Sequence, residues 1–351
     1  MEKSETGAPH GKVLFQMNGN VLDQNPDTEP EVTAIAPEEA AGSPGRHKGR
    51  FWQDLPFFIM LLPGVVVLVI NNYLPMLGVA IAFERFRFSD NFISSFFTSK
   101  WVGLDNFKFL FQTPDIAVAT RNTILYNLLF IVLDLVIPVT IAILLSELLN
   151  QRGAKFYQSA AFLPFFMSWI VVAYLGLSMF KYDDGAVNNI LLSMGFHRVQ
   201  WYFLNSAWPY ILTFFHLWKY TGYNVVVFLA TISGISTEYY EAAAIDGATK
   251  WQQVRYITLP MLKTVMIIVT LFAIGRIFNS DFGLFYNVPM NQGQLYNVTS
   301  TIDTYVYNAM QNLGNPSMTA AAGLYQAVCG CVTVLVANGV IRRIDKEQAL
   351  F

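Results

Sequence analysis

Polar and apolar positions along this chain sort into long blocks. Six stretches are largely apolar, at roughly 54–74, 122–146, 157–180, 209–233, 263–282 and 319–341. At a rise of about 1.5 Å per residue, a helix needs about 20 apolar residues to cross the hydrocarbon core of a bilayer. The pattern predicts an all-α integral membrane protein with six transmembrane helices. Pro138 and Pro164 fall inside two of them. Membrane helices tolerate proline where neighbouring helices satisfy the freed carbonyls. The fifth stretch is the least clean, because Arg276 and Asp281 lie near its end.

Residues 1–50 are rich in Glu, Pro, Ala, Gly and Asn and show no sustained apolar periodicity. They read as a disordered cytoplasmic tail, leaving 51–351 as the membrane domain. The first apolar core begins only near Leu55, too far along for a secretory signal. Orientation follows from the basic residues beside the spans. With the N-terminus inside, the inner flanks carry Arg46, Lys48, Arg50, Arg152, Lys155, Lys250, Arg255, Lys263, Arg342, Arg343 and Lys346. The outer flanks carry Arg85, Arg87, Lys100, Lys108, Arg121, Lys181 and Arg198. Eleven against seven favours both termini in the cytoplasm. The outer loop at 76–121 contains amphipathic pieces, such as Val79–Phe88, suited to the membrane surface.

Composition narrows the function classes. The chain is 54% hydrophobic and only 13% charged, against about 45–50% and about 25% in soluble domains. Too little charge is available to cover a water-facing surface. A net charge of −2 gives no reason to expect a nucleic-acid partner. Aromatic residues reach 15%, which suits membrane interfaces and ligand stacking. Cys329 and Cys331 lie in one apolar stretch and read as packing residues. There is no metal-spaced His cluster, no nucleophile–base pair and no Gly-x-x-x-x-Gly-Lys-Ser/Thr phosphate loop.

Ionisable groups inside a membrane are costly and usually face a bundle interior or a water-filled cavity. Counting along each helix puts Asp134, Trp169 and Lys219 near mid-membrane, with Arg276, Asn279 and Asp281 nearer the outside. His216, Trp218, Tyr220, Tyr223 and Asn224 crowd the fourth span. His216, Tyr220 and Tyr223 share one helix face by their spacing. Aromatic faces and hydrogen-bonding groups suit a sugar. The alternative is helix packing, with Lys219 or Arg276 paired to Asp134 or Asp281. A third possibility is that one basic group meets an acidic sugar.

One segment, the loop at 236–260, departs from the membrane pattern. Ser236 or Thr237 caps a helix start, and Glu238 suits its positive end. Ala242 to Ala244 favour helix and have little bulk, and Gly247 ends it in a left-handed conformation. A second short helix is expected from about Lys250 to Ile257, with Pro260 opening the next span. The result is a helix-turn-helix on the cytoplasmic face that another protein can approach closely.

The spacing Glu241-Ala242-Ala243, three residues, Gly247, nine residues, Ile257-x-Leu259-Pro260 is the signature of permeases of ATP-binding-cassette (ABC) importers. From about residue 50 onward the chain resembles their carbohydrate branch, the maltose-permease-like family. Tyr73-Leu74-Pro75-Met76 with Ile81-Ala82-Phe83 resembles the subgroup that imports oligosaccharides derived from polysaccharides. The resemblance implies the type I ABC importer permease fold in the inner membrane. It also implies that the loop residues, Asp246 among them, form coupling helices in a groove of an ATPase subunit. Glu241 would face a basic group there, and ATP and Mg would be bound by that partner and not by this chain. Two ATPase copies, a second homologous permease, an extracellular solute-binding protein and membrane lipid complete the expected partners. Phe165, Trp169, His216, Trp218, Tyr220, Tyr223, Asn279 and Asp281 fall near sugar-contacting positions of that family, although the residue types mostly differ.

Two other readings remain at this level. One is an ABC permease for a peptide, an amino acid or phosphate. The other is a membrane enzyme or a secondary transporter. A reporter fused after Gly247 is expected to read cytoplasmic, and one fused near Asn291 extracytoplasmic. The reverse pattern would overturn the orientation.

Overall fold

Proline and small polar residues decide where the long helices change character. The computed structural model describes residues 50–87, 92–108, 112, 114–148 and 151–344. Of the tail expected at 1–50, residues 1–49 lie outside them, as do Lys346 and, within that tail, Arg46 and Lys48; Arg50 already opens a helix. Helix α1, Arg50–Leu68, continues through a π-helical turn, Val69–Tyr73, into a 3-10 helix, Leu74–Phe83. Pro75 has no N–H to donate, and the wider turn before it removes the clash with the preceding carbonyl. The first span therefore runs Leu55–Phe83 and does not stop near 74.

A two-residue antiparallel pair follows, β1 Glu84–Arg85 with β2 Lys100–Trp101, and encloses the short helix α2, Phe92–Thr98. This pair is the departure from an all-α chain. Helix α3, Pro114–Ser146, starts earlier than the expected 122. The third stretch is not one straight helix. It forms α4, Gln151–Phe162, a 3-10 turn, Leu163–Phe166, and α5, Trp169–Phe180. The two arms bend by 99°. Pro164 breaks the hydrogen-bond ladder, and Ser168 restarts it by accepting from the Val171 N–H at 3.4 Å.

Helix α6, Ala186–Ser193, leads to α7, Trp208–Ser233. The segment after it forms α8, Thr237–Ile245, and α9, Lys250–Gln253. A π turn, Val254–Thr258, joins α9 to α10, Leu259–Gly275, so the expected separate helix and span are continuous. Pro260 again follows a widened turn. The fifth span ends at Gly275, short of the expected 282. A π turn at Gly283–Asn287, α11 at Tyr296–Thr299, α12 at Ile302–Leu313 and α13 at Pro316–Ile344 complete the chain.

Among the described residues, four helices are long and apolar enough to cross a membrane: Leu55–Phe83, Pro114–Ser146, Lys250–Gly275 and Pro316–Gly339. The bent α4–α5 pair adds a fifth candidate. Helix α7 has the length, 26 residues, but its His, Lys, Trp, Tyr and Asn keep it below that hydropathy.

Helices α3 and α7 form the central packing pair. Tyr126, Phe130, Leu212 and Phe215 join Leu284 and Val288 in one apolar cluster. Val139, Ala142, Val225, Phe228 and Leu262 form a second. The 3-10 helix Leu74–Phe83 packs against α13 with Ile81 and Ala82 buried, so Val79–Phe83 does not lie free on a membrane surface. Asn106 Nδ2 donates to the carbonyls of Ala82 and Glu84 at 2.9 and 2.8 Å, strapping the loop that follows to that helix.

The non-helical backbone beyond α10 is held by side chains. Asn127 Nδ2 donates to the carbonyls of Ile277 and Asn279 at 2.9 and 2.8 Å. Buried Asn122 donates to Asn297 and Ser300 at 3.1 and 2.9 Å. Gln326 Nε2 donates to Phe278 at 2.8 Å. Asn122→Ala takes the side-chain donor from the Ser300 carbonyl and leaves the Asn297 carbonyl to Arg121 Nη2 at 3.0 Å, at about 1–3 kcal/mol where water cannot reach the freed group. We expect a clearly lowered thermal midpoint for the detergent-purified subunit. An unchanged midpoint would show that these bonds do not hold the segment.

Candidate functional site

A cavity of about 720 Å³ opens where α10 ends and the chain leaves helical geometry. Helix α3 contributes Asn127, Phe130 and Asp134. Helix α7 contributes His216, Tyr220, Tyr223 and Asn224, and the turn after α4 contributes Phe165. The break after α10 supplies Arg276, Asn279, Ser280 and Asp281, and α12 supplies Asp303. Phe165 and Tyr223 stack with ring centroids 4.8 Å apart and 14° between planes. They give the cavity an aromatic wall.

The carboxylates here are engaged by the protein itself. Asp134 Oδ2 lies 2.8 Å from His216 Nε2, and the imidazole stacks on Phe130 at 3.7 Å and 4°. Asp281 Oδ2 accepts from Tyr220 Oη at 2.7 Å and from Trp169 Nε1 at 3.0 Å. Its Oδ1 accepts from the Leu284 N–H at 3.2 Å and so caps the next turn. Asp303 Oδ2 accepts from the Ser280 N–H and Oγ at 2.6 and 2.7 Å, and Oδ1 accepts from Gln326 at 3.2 Å. Ser280 Oγ also lies 2.7 Å from Thr301 Oγ1 and, with its own proton on Asp303, is the acceptor of that pair.

Three of the expected site residues stand elsewhere. Lys219 is buried, and its ammonium donates to the carbonyls of Pro164 at 3.4 Å, Phe165 at 3.0 Å and Met167. It also sits 5.2 Å from the Trp169 ring centroid. A cation is favoured at the carbonyl end of a helix, so Lys219 closes the α4 end of the bent span. Trp169 lies behind the wall, with its indole against Gly283. A Cβ at Gly283 would come within 1.9 Å of the indole Cδ1, so only glycine admits this contact. Trp218 points away and packs on the cluster around Phe215. Two residues on from His216, it is turned by about 200° on a helix of 3.6 residues per turn.

The expected ion pairs are not formed. Among the described residues Lys219 has no carboxylate partner within 4 Å, and Asp134 pairs with His216. Arg276, which is exposed, has neither an ion pair nor a side-chain hydrogen bond among them.

At the far end of α7, Ser236 caps α8 by accepting from the Glu238 N–H at 3.3 Å. Gly247 adopts φ +79°, with Ala248 N–H bonded to Ala243 at 2.8 Å and Gly247 N–H to Ala244 at 3.1 Å. This is a Schellman ending, in which a left-handed residue closes the helix. Thr249 and Gln252 form a capping box for α9. Glu241, Ala242 and Asp246 are exposed and Ala243 is half-buried, while Tyr239, Ile245, Trp251 and Tyr256 present exposed apolar surface. Ile257 and Leu259 are half-buried and Pro260 is exposed. Lys250 pairs with Glu147 at the end of α3 at 2.9 Å. Tyr240 Oη meets Thr258 Oγ1 at 3.0 Å.

Asn127, Phe130, Ser280 and Asp303 line the cavity without having been expected there from sequence. A signal existed for Ser280, since Asn279, Ser280 and Asp281 are consecutive polar residues in an expected span. Asn127 and Asp303 fall in segments that read as a span face and a loop. No group of three or more His, Cys, Asp or Glu side chains among the described residues is placed to hold a metal ion. Lys219→Met should lower the membrane level and thermal stability of the subunit, because the Phe165 and Met167 carbonyls lose their donor. Normal accumulation with a transport defect alone would return Lys219 to the substrate.

Relatives place this geometry in context. The family described as binding-protein-dependent transport system inner membrane component matches residues 50–346. The polygalacturonan/rhamnogalacturonan transport system permease protein YteP of Bacillus subtilis (strain 168) is 30% identical over 298 residues, covering 84% of this chain and 90% of that protein. The structure is similar to that of a bacterial ABC transporter involved in the import of the acidic polysaccharide alginate. The TM-score is 0.76 and the identity 29%, over 84% of this chain and 98% of that one. A second structure, of the bacterial alginate ABC transporter with an alginate pentasaccharide-bound periplasmic protein, also gives a TM-score of 0.76 at 29% identity, over 85% and 97%. With 297 consecutive residues of its 351 inside the family match, this chain belongs to the binding-protein-dependent transport system inner membrane components.

Proposed function

We propose that this chain is the transmembrane permease subunit of an ATP-driven ABC importer and carries an oligosaccharide handed over by an extracellular solute-binding protein. The observation that carries the reading is the cavity. Its aromatic wall, Phe165 on Tyr223, suits the C–H faces of sugar rings. Asn224 and Asn279 line it with amides that make no side-chain hydrogen bond among the described residues, and hydroxyls can fill that capacity. The relatives named above, which transport polygalacturonan, rhamnogalacturonan and alginate, support a sugar over a peptide, an amino acid or phosphate.

We read α7 as the sixth span. At about 1.5 Å per residue its 26 residues reach roughly 39 Å, and its polar side face lines the cavity. Both termini are then cytoplasmic. The helix-turn-helix of α8 and α9 is the docking element for an ATPase subunit, with Glu241, Ala242, Ala243, Asp246 and Gly247 at its centre. ATP and Mg belong to that partner. One cavity wall per subunit calls for a second, homologous permease and hence two ATPase copies.

Gly247→Val tests the docking role. Nothing lies within 4 Å of a Cβ at Gly247, so the strain is confined to φ. The variant should reach the membrane normally, lose the ATPase on purification and fall at least about tenfold in uptake, the equivalent of roughly 1.4 kcal/mol of coupling. Wild-type uptake would rule out this turn as the docking element.

A further inference from the structure

Resting on the reading that the cavity takes an oligosaccharide, we infer that Arg276 selects a sugar bearing a carboxylate and binds that carboxylate through its guanidinium. The inference comes from which hydrogen-bonding groups in the cavity are already occupied. Asp281 and Asp303 accept from protein donors on both oxygens. Asp134 is paired through Oδ2, and its remaining oxygen is sealed from solvent. None of the three offers an open anionic edge to a ligand. Lys219, the other basic group of this region, is buried against backbone carbonyls.

Arg276 alone among the charged lining residues has no side-chain partner among the described residues. Its backbone is nonetheless well placed. It closes α10, with its N–H bonded to the Ala273 carbonyl at 3.1 Å. The carbonyl end of a helix favours a cation there without supplying it a carboxylate. A guanidinium offers five donors in a planar fork that matches a carboxylate on two bonds at once. Neutral hydroxyls need no such fork, and Asn224 and Asn279 serve them. A carboxylate-bearing ring stacked on Phe165 and Tyr223 with its charge toward the end of α10 meets the aromatic wall and the guanidinium together.

The test uses the complete transporter in proteoliposomes, with both permeases, the ATPase and the solute-binding protein. The probes are trigalacturonate and its fully methyl-esterified form, which keeps the sugar backbone and carries a methyl group in place of each charge. Both are supplied above the binding protein's separately measured Kd. Arg276→Gln should lower trigalacturonate uptake roughly tenfold to a hundredfold, as loss of a charged hydrogen-bond pair does, and lower uptake of the ester far less, since its carbonyl loses only a neutral-acceptor bond. Arg276→Lys should retain part of the acidic uptake, since it keeps the charge and loses the fork. Equal losses for both probes, or a fall in membrane level, would make Arg276 a structural or subunit-pairing residue and overturn the inference. Wild-type transport of the ester but not of the acid would overturn it while leaving the oligosaccharide reading standing. Transport of neither probe, nor of any other oligosaccharide, would remove both.

Discussion

A backbone N–H or C=O inside hydrocarbon has no water to bond, so an unpaired one is costly. A chain that stays helical avoids the problem, but a straight helix also leaves no room for cargo. This protein departs from helix at two places inside its expected spans, at 163–168 and at 276–281, and both departures depend on particular side chains. Lys219 satisfies the first by meeting three carbonyls. Asn127 and Gln326 satisfy the second, with Asp303 taking the Ser280 N–H. The cavity lies between these two breaks and is lined by residues of both, Phe165 and Arg276 among them.

That constraint divides the polar residues of the membrane region into two groups. One group is consumed in holding irregular backbone or in closing short networks: Lys219, Asn122, Asn127, Gln326, and the Asp134–His216 and Asp281–Tyr220–Trp169 sets. The other keeps its hydrogen-bonding capacity and faces the cavity: Arg276, Asn224, Asn279 and Tyr223. Polarity and depth alone would assign both groups to the substrate. The separation appears only when each donor and acceptor is traced to its partner. A buried polar group is satisfied as a rule, so an accessible one left without a protein partner carries the functional information.

The helical, membrane-spanning character is legible in the sequence because a block of about 20 apolar residues fits little besides a bilayer span. The turn at Gly247 is legible for a local reason, since one glycine after Ala242–Ala244 sets both the left-handed φ and the helix end. The breaks are harder to see. Pro164 reads as a proline tolerated inside a span, yet with Ser168 four residues on it both stops and restarts a helix. The cluster Asn279-Ser280-Asp281 reads as polar groups on a continuous helix, whereas it is the sequence mark of backbone that has left helical geometry. The role of Lys219 is not legible at all. Its three acceptors are main-chain oxygens more than fifty positions away, and main-chain oxygens leave no trace in residue type. Trp218 is the opposite case, because the helical period alone turns it away from the face that His216 and Tyr220 share.

The two helices that flank the Gly247 turn also bound the cavity, and this connects the turn to the cavity. Helix α7 carries His216, Tyr220 and Asn224 on the cavity side and runs to Ser233, three residues before the Ser236 cap of α8. On the other side, α9 passes through its π turn into α10 without a loop and ends against Arg276. Each wall is therefore joined to the turn by a helix, and a helix transmits displacement along its axis with little loss. The turn is tied to α3 by Lys250–Glu147 and to the π turn by Tyr240–Thr258. Under the proposed docking, a shift of α8 on an ATPase subunit bears on α7 and α10 together. Those helices hold the aromatic and basic sides of the cavity, Tyr223 on one and Arg276 on the other. Widening that gap weakens stacking and charge recognition in the same movement, which is what release of a cargo requires.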